Sequence, residues 1–154
     1  MWNPKNYRMG FDPWGLGLFL LIMLPNFIWF VVPAPDDILR AQSVTPLIDA
    51  IAQVFQIIMV ASLCGVVNTA RNESIMTEVR GIPVLFLGFL FHYYVSWKAY
   101  YQGPLNAGVI LKLCLEPCGV FLLLALARKN APALLAAAGF TVCHLFSTII
   151  NFIQ

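Results

Sequence analysis

Apolar residues run along this chain in long unbroken stretches, not in alternation. Five such stretches occur, at about 15–33, 44–67, 82–101, 106–127 and 131–153. About 20 apolar residues rising roughly 1.5 Å each cover the hydrocarbon core of a bilayer. The pattern therefore predicts five transmembrane helices. The strands of a membrane barrel would alternate apolar and polar residues, which these runs do not.

The breaks between runs carry stop and start signals. "PAPDD" (33–37) closes the first run, because proline lacks a backbone donor and disfavours helix just before it. Thr45-Pro46 reads as a cap followed by a first-turn proline. "RGIP" (80–83) opens the third helix, "QGP" (102–104) turns into the fourth, and "RKNAP" (128–132) makes a tight hairpin into the fifth. Trp2, Trp14, Tyr100 and Tyr101 fall near run ends, where amphipathic rings favour the interface. The expected fold is an all-α integral membrane protein, a compact bundle of five transmembrane helices with short loops, forming a single domain over residues 1–154.

Composition supports lipid as the partner. Of the 154 residues, 60% are hydrophobic and only 10% are charged, against roughly a quarter charged in a soluble domain. A net charge of +2 with no basic run gives no footing for nucleic acid. Basic residues also set an orientation. With the N-terminus inside, Lys5, Arg8, Arg71, Arg80, Arg128 and Lys129 lie inside, while Arg40 and Lys98 lie outside. The expectation is a cytoplasmic (plasma) membrane protein with its N-terminus inside and its C-terminus outside. A signal peptide is the alternative for the first run. The Pro25-Asn26 interruption and the absence of a convincing cleavage site argue against it. The Asn72-Glu73-Ser74 sequon would face the cytoplasm and is not expected to be used.

The candidate chemistry lies within the runs, where ionisable groups need a partner or a wet cavity. Glu116 sits near the middle of the fourth run, with Lys112 one helical turn earlier on the same face and Pro117 directly after it. A Lys112–Glu116 bridge would offset the burial cost, and Pro117 frees the carbonyl of Leu113. Two readings stay open for Glu116: half of a structural ion pair, or a carboxylate that handles a proton or a substrate. The second run carries Thr45, Asp49, Gln53, Gln56 and Cys64 on one face. Asp49 serves either as a first-turn anion or as part of a site, and could pair with Lys112 between helices. His92 is central in the third run, flanked by Tyr93, Ser96, Trp97 and Tyr100. Thr141, His144, Thr148 and Asn151 form a stripe on the fifth run, and Asn26 beside Pro25 supplies a group from the first. Such stripes serve equally as interhelical glue.

Cys64, Cys114, Cys118 and Cys143 all fall in apolar runs, away from any extracellular disulfide framework. Without a C-x-x-C pair, no metal site is assigned, and no cofactor is implied. No nucleophile elbow, phosphate-binding glycine loop or H-E-x-x-H occurs, so the reading leans away from an enzyme. The leading expectation is transport or permeation of a small solute, proton-coupled through Glu116, by a homo-oligomer. The candidate residues are Glu116, Lys112, His92, His144, Asp49, Gln53, Gln56 and Asn26. The alternatives are a non-catalytic accessory or ligand-binding membrane subunit, and an intramembrane enzyme acting on a lipid or prenyl substrate.

Overall fold

A computed structural model describes residues 4–70, 81–103 and 105–153. Trp2, Arg71, Arg80 and the sequon at 72–74 lie outside the described residues. Five long helices dominate: α1 (Pro13–Val31), α2 (Pro46–Gly65), α3 (Gly81–Gln102), α4 (Ala107–Ala127) and α5 (Ala131–Phe152). Each lies within about two residues of the stretch the apolar runs predict. Four of them, all but α3, are long and apolar enough to cross a membrane. The third has the length, but its second half, "HYYVSWKAYYQ", dilutes its hydropathy with hydroxyls, a histidine and a lysine.

Local chemistry sets the helix ends. The Asp12 carboxylate accepts from the backbone of Trp14 and Gly15, both at 3.1 Å, with Pro13 in the first turn of α1. Asn106 caps α4 through Val109 N at 3.0 Å, and Asn130 caps α5 through Ala133 N at 3.1 Å. Thr45 is the residue before α2, but its hydroxyl makes no cap bond. The hairpin at 128–130 is a Schellman turn: Lys129 N reaches Leu126 O and Asn130 N reaches Ala125 O, both at 2.9 Å. Lys129 takes the left-handed conformation this turn needs, at φ 47°.

The helices pack around α4, the most deeply buried of them. α3 lies along one side of it, α5 along another, and α2 packs most extensively on α5. α1 rests more lightly on α2, α3 and α4. The outer surface is apolar, with Phe30, Val31 and Leu135 each about three-quarters exposed. Such a continuous greasy surface suits lipid, not water.

Both ends of the bundle are tied. At one end a short antiparallel ribbon pairs β1 (Tyr7–Met9) with β2 (Val66–Asn68). There Asp12 also forms an ion pair with Arg128, and the Asn130 amide donates to Ser62 O at 2.8 Å and Val66 O at 3.0 Å. Burial pushes the Arg128 guanidinium below its usual pKa. At the other end the loop after α1 folds back on Asp37. Its carboxylate accepts from Trp29 Nε1 at 2.9 Å, Arg40 Nε at 2.8 Å, Tyr100 Oη at 2.7 Å and Ala34 N at 3.3 Å. Burial alone would raise the Asp37 pKa, but these four donors outweigh it and hold the group below its usual value. Neither tie follows from hydropathy. The ribbon is too short to show a strand period, and Asp37 reads in the sequence only as part of a helix stop.

Candidate functional site

A cavity of about 320 Å³ lies between the helices, at mid-depth and toward the Asp37 end. Its polar lining comes from Asn26 on α1, Asp49, Gln53 and Gln56 on α2, Tyr93 on α3 and His144 on α5. Leu113 and Pro117 of α4 form a further wall, with Phe121 and Phe140 beside them. Five of the eight residues singled out in the sequence thus share one cavity. Three do not line it: Glu116, Lys112 and His92.

Helical spacing explains the α2 wall. Positions 49, 53 and 56 recur at steps of four and three and therefore project from one face. Asp49 is oriented from α5, where the Ser147 hydroxyl donates to its Oδ1. Ser147 belongs to a chain of polar contacts that joins the start of α2 to the end of α5. It lies 3.1 Å from Thr45 Oγ1, Asn151 Nδ2 donates to Thr45 Oγ1 at 2.7 Å, and Val44 N donates to Asn151 Oδ1 at 2.7 Å. The sequence stripe includes Asn151 but passes over Ser147. Its position three after His144 and four before Asn151 is the signal that places it on that face. Thr141 instead turns back to Ala137 O of its own helix at 2.7 Å.

Asn26 donates to Tyr93 Oη at 2.5 Å, which joins α1 to α3 at the cavity wall. Beside it, Pro25 removes the donor that would serve Leu21 O one turn back. That carbonyl is satisfied from α3, by the Tyr94 hydroxyl at 2.6 Å. Pro117 does the same to Leu113 O on α4. There, no hydrogen bond from another element reaches the freed carbonyl among the described residues, and both Leu113 and Pro117 face the cavity.

His144 stacks on Phe140, with ring centroids 5.0 Å apart and planes at 15°. The side-chain amides of Gln53 and Gln56 have no hydrogen-bond partner among the described residues. Gln53 is exposed and Gln56 half-buried, so both amides stay open to water or a solute at the cavity.

Glu116 sits on the other side of α4. It is buried, at 7% exposed, and accepts a 2.9 Å hydrogen bond from Ser96 Oγ of α3. Lys112 is exposed and forms no ion pair with Glu116, so the expected intrahelical bridge is absent. Nor does Lys112 pair with Asp49, whose partner is Ser147. His92 is also exposed, with its ring edge-on to Phe91 at 6.0 Å. Among the described residues no group of three or more histidine, cysteine or acidic side chains is arranged to hold a metal, and the four cysteines are unpaired thiols.

Among the described residues the lining thus carries one carboxylate, the free amides of Gln53 and Gln56, an imidazole and aromatic rings, and no lysine or arginine. Such a set can hydrate or bind a small polar molecule. No family model matches the chain, and no curated protein or solved structure matches it either.

Proposed function

We propose that this chain is a small membrane permease that admits a polar solute to the cavity beside Asp49. The observation that carries the reading is the unpaired state of Gln53 and Gln56, which face the same 320 Å³ space as Asn26, Asp49 and His144. Helix-packing glue would use those amides between helices, and here they are spent on none.

In this reading all five helices cross a cytoplasmic membrane, with the N-terminus inside, and copies associate as a homo-oligomer. The antiparallel course of α3 along α4 supports a fifth span. Ser96 meets Glu116, the ring of Phe89 lies against Gly119, and Ile82 shares an apolar pocket with Ala127. The two helices therefore run side by side for most of their length, so a membrane crossed by α4 is crossed by α3. Glu116 is the proton-coupling group. It is buried, its hydrogen-bond partner is a single hydroxyl, and its chain neighbour Pro117 forms part of the cavity wall. Gain or loss of a proton there would act on the cavity through Pro117, its chain neighbour in the wall.

Proteoliposomes test this by stopped-flow light scattering with small polar solutes across a pH gradient. Wild-type protein should speed solute entry in a pH-dependent way, and Glu116→Gln should abolish the pH dependence. Entry no faster than in protein-free vesicles would overturn permeation, and unaltered pH dependence in the variant would overturn the role of Glu116.

A further inference from the structure

We infer that the cavity receives a small organic cation, with Asp49 as the anion that anchors its ammonium group. The inference rests on the cavity being a solute site and goes beyond it by naming the class of solute.

Four observations on the lining carry it. First, among the described residues Asp49 is the sole side chain of the wall that carries a full charge by type, since no lysine, arginine or second acid among them lines the space. An anionic solute would meet that carboxylate with no fixed cation to offset it. Second, Asp49 is half available. Ser147 donates to Oδ1, while Oδ2 has no hydrogen-bond partner among the described residues.

Third, among the described residues no lysine or arginine forms an ion pair with it. Arg40 pairs with Asp37, Arg128 pairs with Asp12, and Lys112 is exposed without an ion pair to Asp49. Fourth, the remaining wall offers what an ammonium group prefers. The Gln53 and Gln56 carbonyls add acceptors, and the buried rings of Tyr93, Phe121 and Phe140 form part of the wall. An aromatic wall favours an alkylammonium group over an anion, because the ring quadrupole attracts a diffuse cation that sheds water easily. The volume of about 320 Å³ lies at the low end of the range for ligand pockets, which favours a compact solute.

The test uses the full chain in detergent and two probes of nearly identical shape, choline and its uncharged isostere 3,3-dimethylbutan-1-ol. Isothermal titration should show choline binding at least about tenfold more tightly than the alcohol. Asp49→Asn should remove most of that preference while keeping the Ser147 bond, and Asp36→Asn, an exposed acid outside the cavity, should leave it unchanged. Equal affinity for the two probes, or a preference that survives Asp49→Asn, would overturn the inference. If Asp49→Asn does not yield folded protein, the wild-type comparison of cation and isostere decides alone. Entry of uncharged polar solutes without any choline preference would overturn the cation class and leave the permease reading standing. The absence of both solute entry and binding would remove the two together.

Discussion

Glu116 accepts its hydrogen bond from Ser96, across the α3–α4 interface, and not from Lys112 one turn away on its own helix. The carboxyl is thus tied to a neighbouring helix by a neutral donor, and the lysine is left at the surface of the bundle. Removal of the donor should cost more than neutralising the acceptor. Ser96→Ala strands a buried carboxyl and should lower stability by about 1–3 kcal/mol. Glu116→Gln keeps an oxygen for the Ser96 hydroxyl and should cost less. Thermal unfolding of the two variants in detergent gives the order, and a Glu116→Gln loss exceeding that of Ser96→Ala would contradict the assignment.

Gly15 and Gly17 make a matched pair near the start of α1. A Cβ built at Gly15 would clash with the backbone oxygen of Leu63, so α1 and α2 approach there at backbone distance. At Gly17 nothing lies within 4 Å. Gly15→Ala should force the helix ends apart, destabilise the protein and loosen the Asp12–Arg128 pair. Gly17→Ala should be neutral, or stabilising by up to about 1 kcal/mol from helix propensity alone. Melting temperatures of the two variants check this.

Asn130 binds three backbone groups at once, accepting from Ala133 and donating to Ser62 and Val66, and is 2% exposed. Asn130→Ala loses a helix cap and strands two carbonyls, and should cost about 2 kcal/mol or more. Asn130→Asp keeps the cap but has no donors, so it should fall between wild type and alanine if the cap dominates. Hydrogen exchange at the amides of 62–68 reports the loss locally, and unaltered protection in the alanine variant would count against the tie.

The Asp37 end should be sensitive to acid. Its carboxyl is held below the usual 3.8 in the fold, so the group stabilises the folded state fully at pH above that value. The contribution fades as pH falls through the lower folded value. Asp37→Asn should remove this dependence and raise hydrogen exchange at 34–41 at neutral pH, with Trp29 becoming more accessible to a fluorescence quencher. A wild-type loop whose exchange is indifferent to acid would contradict it.

Helix positions were legible in the sequence because burial in lipid demands long apolar runs, and punctuation by Pro33, Pro46 and Asn130 is local chemistry. The α2 wall was legible for the same reason, since residues 49, 53 and 56 repeat with the helical period. The partners were not. Glu116 and Lys112 share a face by spacing, yet the α3 interface supplies Ser96 to one and leaves the other outside, which depends on how two helices dock. Asp37, Arg40 and Tyr100 meet only because a loop folds back over α1 and α3. Ser147 shares the face of His144 and Asn151 by spacing, but its partners Asp49 and Thr45 come from α2 and depend on how the two helices dock.

The central claim is that the space beside Gln53 and Gln56 is reached by water and solute from outside the bilayer. Cysteine accessibility in proteoliposomes measures it directly, with a membrane-impermeant cationic thiosulfonate, over the background of the four native thiols. Gln53→Cys and Gln56→Cys should label many times faster than Ile57→Cys, whose side chain is 68% exposed on the apolar surface, and choline should slow the first two. Labelling at 53 and 56 no faster than at 57 would contradict the account.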